Sequence, residues 1–277
     1  MHHRLPTYFL SHGGGPWPWM KDFRPGVYDQ LEKSLHDVRK ELGELPRAVL
    51  MISGHWEADR FWLSSASHPS MHYDYVGFPE HTYRIRYDAP GEPELAETVR
   101  AILERGGMPS GLDPRRGYDH GTFSLMHVLY PEAQVPLVQL SMKADFDPAE
   151  HIRVGELIAP LRDQGVLIVG SGFSFHDTRS ILSGAGVVAS ATFDQWLDET
   201  LVHSKPPERR RRLMDWSNAP AARAAHPRED HLIPLMVAVG AAGDDAGTRV
   251  YHERAFMGAI TASSYRFGEA PVAVSIS

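Results

Sequence analysis

The chain has 277 residues, no cysteine, a formal net charge of −7 and 42% hydrophobic residues. Without cysteine there are no disulfides, iron–sulfur clusters, thiolate zinc sites or cysteine nucleophiles, so any metal must rest on His, Asp or Glu. The acidic balance, with no broad basic face, argues against electrostatic binding to nucleic acid or to a membrane surface.

The one dense positive cluster, Arg209 to Arg212, follows Pro206, Pro207 and Glu208 and reads as the solvated surface of a helix. No segment reaches the ~18 uninterrupted apolar residues of a membrane span. Met1, His2, His3 and Arg4 lead into a short apolar stretch that lacks the long core of a signal peptide. The expectation is a cytoplasmic protein with no nucleic-acid or membrane partner, compatible with a homodimer.

In chain order, Tyr8 to Leu10 form a short apolar run ending at Ser11-His12-Gly13-Gly14-Gly15-Pro16, which reads as a buried strand entering a turn. Ala48 to Ser53 is a second buried strand, running into Gly54-His55-Trp56. From Glu92 to Arg105, Leu95, Val99, Ile102 and Leu103 recur at helical spacing. Another apolar helix, with Phe123, Leu125 and Met126, starts at His120, where Asp119 is a candidate cap. Pro136 to Met142 is the third strand. Pro148 to Arg162 is a helix with Asp147 as N-cap and a proline in the first turn. Val166 to Val169 is the fourth strand, leading into Gly170-Ser171-Gly172. The apolar helix Leu232 to Ala242 precedes two further strands, Arg249 to Met257 and Ile260 to Phe267. There is no linker and no repeat. Strands alternating with helices predict one α/β domain over residues 1–277 with a central mixed sheet, and ligands in such sheets bind beyond the carboxyl ends of the strands.

Among the 16 histidines, His12, His55 and His176 each follow a predicted strand. Alone, His12 or His55 is equally well read as a turn residue; together they suggest imidazoles presented from neighbouring strand ends, as a borderline metal requires. A third ligand could come from His226-Pro227-Arg228-Glu229-Asp230-His231. Acidic residues at a helix start also have an ordinary explanation in the helix dipole, which favours His231 over Glu229 and Asp230. His226, before a proline, reads as a turn former. His120 and His176 are candidate acid–base groups, because imidazole titrates near ~6.5.

The segments Phe9 to Pro16 (FLSHGGGP), Met51 to Glu57 (MISGHWE), Gly77 to Ala96, Tyr118 to Phe123 (YDHGTF), Val135 to Ser141, Val166 to His176 (VLIVGSGFSFH) and His226 to Gly243 together resemble the class III extradiol ring-cleaving dioxygenases, in particular the DOPA 4,5-dioxygenase branch. The resemblance runs in order over roughly residues 7 to 270. It implies an α/β fold, a mononuclear nonheme Fe(II), with Zn(II) as the alternative metal, and a catechol and O2 as substrates. Carried over by position, the metal ligands are His12, His55 and His231. His176 matches the acid–base histidine and a contact to zinc, and His120 matches a second histidine near the substrate. Relatives outside this branch use a glutamate as third ligand, which keeps Glu229 beside His231. The stretch Ser11 to Met20 departs from the usual S-H-G-S-P, and Trp17 and Trp19 are expected to reshape the pocket mouth.

Three rival readings compete. His12-Gly13-Gly14-Gly15 is shared with lipase oxyanion loops, but no G-x-S-x-G elbow accompanies it; the nearest serines are Ser53 and Ser171. A zinc hydrolase would use the same histidines. A non-catalytic metal- or small-molecule-binding protein is the third.

Overall fold

The computed structural model describes residues 4–271; Met1, His2 and His3 lie outside it. Eight strands form one mixed sheet: β1 (Thr7–Ser11), β2 (Ala48–Ala58), β3 (Phe61–Ser64), β4 (Ser110–Asp113), β5 (Leu137–Lys143), β6 (Val166–Gly172), β7 (Gly247–Phe256) and β8 (Ile260–Phe267). Their order across the sheet is β4-β3-β5-β2-β6-β1-β8-β7. The central pairs β5–β2, β2–β6 and β6–β1 are parallel, so their carboxyl ends emerge on one edge. Strands β8 and β7 close one side antiparallel. The mixed α/β architecture expected from the sequence is the one observed.

The central strands read as apolar runs because both faces are covered. Val49, Leu50, Met51 and Ile52 of β2 and Leu167, Ile168 and Val169 of β6 are at most 1% exposed. One face carries the helix α9 (Ile233–Ala242), in which every residue is buried. Helix α4 (Pro148–Ile158) packs on α9 and starts as expected, with Asp147 accepting from the amides of Ala149 and Glu150. It is shorter than predicted: Pro160 falls in a 3-10 turn, Ala159–Gln164, because proline offers no amide to continue the α ladder. Helix α3 (His120–Leu129) has the predicted Asp119 cap, on the amide of Thr122.

Several elements lie outside the expectations. Helix α1 (Asp29–Leu42) buries Leu31, Leu35, Val38 and Leu42, a helical spacing. Strands β3 and β4 have four residues each, too short for a pattern. Strand β2 does not stop at Ser53 but continues through His55 to Ala58, with its pairing to β5 shifted between Ile52 and Glu57. Arg209, in α7 (Pro206–Met214), corrects the reading of that cluster as wholly solvated. It is 1% exposed, donates to the carbonyl of Gly243 at 3.0 Å and lies over the ring of Phe267. Among the described residues no helix is long and apolar enough to cross a membrane.

Candidate metal centre

Five histidines meet at the carboxyl edge of the central strands. His12 follows β1 directly, and its neighbour Gly13 has φ +76°, a conformation that side chains resist. A Cβ on Gly13 would lie 2.5 Å from the ring of Trp17. That ring stacks on Tyr28 and donates from Nε1 to the carbonyl of His12 at 2.8 Å. Trp17 therefore fixes the backbone of His12 as well as lining the pocket. Trp19 stacks on His127 instead and is not part of the cavity wall.

The Nε2 atom of His55 lies 3.1 Å from Nε2 of His12 and 3.1 Å from Nε2 of His231. The far side of each ring shows where the protons sit. Ser171 Oγ donates to the carbonyl of Gly121 at 2.6 Å, so it accepts from His12 Nδ1 at 3.0 Å. Asp74 lies 3.1 Å from His55 Nδ1, and it accepts from His120 Nδ1 and from the His120 amide at 2.9 and 3.0 Å. The proton held on His12 Nδ1, and the negative charge that Asp74 sets beside His55 Nδ1, favour bare Nε2 atoms on both rings, whose facing lone pairs repel unless a cation lies between them. Metal–imidazole bonds of ~2.0–2.1 Å put neighbouring donor nitrogens roughly 3.0–3.4 Å apart, so the spacing suits a shared metal. His231 Nδ1 is 3.0 Å from Asp230 Oδ2 without hydrogen-bond alignment.

Burial reinforces the neutral state that a ligand needs. It pushes His12 and His231 well below the ordinary imidazole range, helped by the other histidines. Burial and the neighbouring His120 bring His55 down to about 3, against a partial pull upward from Asp74. Asp74 shows the opposite balance: burial would raise its pKa, but the hydrogen bonds it accepts from His120 outweigh that and keep it ionised. Asp74 sits in an irregular loop and no local pattern in the sequence marks it.

The ligand atoms of His12, His55 and His120 lie within 4.8 Å of one another, as do those of His176, Asp230 and His231. His120 thus stands beside the two strand histidines, its ring centroid 3.9 Å from that of His55. The ring of His176 stacks on His231 at 3.3 Å, its Nδ1 4.0 Å from Asp230. Burial lowers its pKa and Asp230 opposes the shift. Glu229 turns away: its carboxylate pairs with Arg223 at 2.7 Å. His226 does more than shape a turn. Fully buried, it donates from Nε2 to the carbonyl of Ser174 at 3.1 Å, while the amide of His176 donates to Ala225 at 2.8 Å, so two bonds hold the loop that carries His176.

Two further contacts set the cluster. Asp119, wholly buried, accepts from Ser53 Oγ at 2.7 Å and Arg116 at 2.8 Å, and Arg116 also donates to the carbonyl of His55. This locks the start of α3 to β2. At Gly172, a Cβ would lie 2.2 Å from the carbonyl oxygen of His231, which accepts from the Phe173 amide at 3.0 Å. Ser53 and Ser171 are both fully buried and already donating, so neither offers a free nucleophile to the esterase reading.

A cavity of about 810 Å³ opens onto His176 and His231, with Phe78, Phe173 and Phe256 among its walls. The arrangement provides converging imidazole donors, two further histidines at hand and an aromatic-lined space for a substrate.

Residues 6–268 match the family model described as the catalytic LigB subunit of aromatic ring-opening dioxygenase. The chain is 36% identical over 265 residues to a protein of Beta vulgaris named 4,5-DOPA dioxygenase extradiol, covering 94% of this chain and 96% of that one. It is also 36% identical to the dioxygenase tasH of Hapsidospora irregularis, covering 89% and 81%. An uncharacterized Escherichia coli K12 protein (JW3007) of known crystal structure shares the fold, with a TM-score of 0.74 at 23% identity over 96% of this chain and 100% of that one.

Proposed function

The chain belongs to the family of catalytic LigB subunits of aromatic ring-opening dioxygenases, and from that premise we propose that it opens a DOPA-like catechol with O2 on one Fe(II) held by His12, His55 and His231. The observation that carries the ligand assignment is that His55 Nε2 lies 3.1 Å from the Nε2 atoms of both His12 and His231. Bound Fe(II) supplies a Lewis acid for the catechol oxygens and a redox centre through which ring electrons reach O2.

The chain's own residues do the rest. The walls formed by Phe78, Phe173 and Phe256 take up the ring and exclude water, which strengthens every polar interaction inside. His176, neutral at physiological pH because burial lowers its pKa, accepts a phenolic proton as the substrate enters and returns it during ring opening. His120 has its Nδ1–H committed to Asp74, so only its Nε2 can serve the substrate. Asp74 holds His120 in one tautomer through a hydrogen bond and faces His55 Nδ1 as a charge, the place a carboxylate takes behind metal-site histidines. An all-nitrogen donor set also accepts zinc, so metal identity belongs in the test.

Protein loaded anaerobically with Fe(II) or with Zn(II) is assayed for metal content and for oxygen uptake with catechol, DOPA and protocatechuate. The expected result is uptake matched one-to-one by a ring-opened product with iron and none with zinc. No uptake by protein shown to hold one iron would sink the proposal and turn attention to a zinc hydrolase on the same histidines. In the same assay His176→Ala should keep its metal and lose roughly 10²–10⁴-fold in turnover; a near-normal rate removes His176 from the reaction.

A further inference from the structure

The cavity above the histidines is walled by aromatic and aliphatic side chains, yet one permanent charge lines it. Arg24 is exposed at its edge, and among the described residues no carboxylate pairs with it. Its Nη1 meets only the sulfur of Met257, at 3.5 Å, and a thioether is a weak acceptor. Lys21, three residues earlier, shows the contrast: Glu32 engages it at 2.5 Å. No Asp or Glu lines the cavity, so nothing in the wall neutralises the guanidinium. Low-dielectric walls of this kind focus the field of a single charge on whatever enters.

The position of Arg24 indicates which part of a substrate it meets. Met257, its contact, places Cε 3.9 Å from where a Cβ on Gly14 would be. The guanidinium therefore stands over the glycine loop that follows His12, one methionine side chain away from it. Arg24 lines the same cavity as His176 and His231, so a ring whose hydroxyls face those histidines shares its space with the guanidinium. We propose that Arg24 is a specificity-determining residue that binds a carboxylate carried on the ring substituent, and that the enzyme thereby selects anionic over neutral catechols. The proposal rests on the ring-cleaving reading above. A guanidinium matches a carboxylate with two parallel hydrogen bonds, which a lysine ammonium cannot form.

The test is anaerobic calorimetric titration of metal-loaded protein with 3-(3,4-dihydroxyphenyl)propanoate and with its neutral carboxamide, followed by oxygen uptake with the same pair. Wild type should favour the acid by about tenfold, the scale of one exposed charge-assisted contact. The preference should shrink with added salt, vanish in Arg24→Gln and survive in part in Arg24→Lys. Equal affinity for acid and amide in the wild type, or an unchanged ratio in Arg24→Gln, overturns the assignment. Ring cleavage without any preference overturns Arg24 and leaves the ring-cleaving reading intact. A preference for the acid that is lost in Arg24→Gln, with no oxygen uptake, supports Arg24 and sinks the reading on which it rests.

Discussion

The floor and the mouth of the cavity are built in opposite ways. At the floor, which His176 and His231 line, the histidine cluster is buried: His12 and His231 are 1% and 3% exposed, and the Nδ1 atoms of His12 and His120 behind it are committed to Ser171 and Asp74. At the mouth, Phe23 and Leu182 are 62% and 74% exposed, on the short segments Lys21–Phe23 and Thr178–Ser183, in which no residue is buried. His12 and His55 hang from parallel strands whose register is fixed by burial on both faces, whereas the mouth hangs from connections that can change without disturbing the core. Under the proposals above, the chemistry is held by the part of the molecule least able to vary, and the choice of substrate by the part most able to.

The largest expected effect comes from breaking the floor. His12→Ala or His55→Ala should abolish metal binding and turnover together, as read by metal analysis and oxygen uptake; full metal content in either variant would remove that residue from the ligand set. Next comes the support behind the ligands. Asp74→Asn removes the charge facing two Nδ1–H groups and should cost about 10–100-fold in metal affinity or activity, measured by competition with a chelator. Unchanged affinity would reduce Asp74 to a packing role.

The anchor of the His176 loop gives a pH test. Burial holds the pKa of His226 down to about 3, below the ~6.5 of an unfolded chain. Between these values the unfolded chain binds a proton that the folded one does not. Stability is therefore full above about pH 6.5 and falls as pH drops toward 3, by up to about 1.4 kcal/mol per pH unit from this group. His226→Gln keeps a donor for Ser174 and removes the titration, so Tm measured against pH on metal-free protein should show a shallower acid limb; an unaltered slope would exonerate His226. The smallest effect belongs to the mouth. Leu182→Ser should change stability by no more than about 0.5 kcal/mol, visible as a nearly unchanged Tm; a large drop would mean that the mouth is tied to the core after all.

The floor was more legible in the sequence than its supports. Apolar runs marked β1, β2, β5 and β6, and His12 and His55 stood out because each interrupts such a run beside glycine. His231 was singled out because a polar ring at the start of an apolar helix has no ordinary role. Asp74 was not visible, because its partners His55 and His120 are brought to it only by the folded loop. Arg209 was misjudged because a run of four arginines looks solvated, and only the packing of α7 against β8 and the turn after α9 buries one of them. The extension of β2 past Gly54 escaped for a related reason: its pairing there is irregular, so the residues carry no alternating pattern. Arg24 was equally silent, since its meaning lies in the absence of a carboxylate around it.

Gly172 offers no functional group, yet the carbonyl of His231 lies 2.2 Å from where its Cβ would stand. The setting of the third imidazole therefore depends on an atom that is missing. For anyone evolving this scaffold toward new substrates, the mutational map is uneven in an unexpected way. The exposed rim positions Phe23 and Leu182 can be varied with little effect on the core, while adding a single methyl group at residue 172 should shift the backbone of His231 and look, in a screen, like the loss of a proposed ligand.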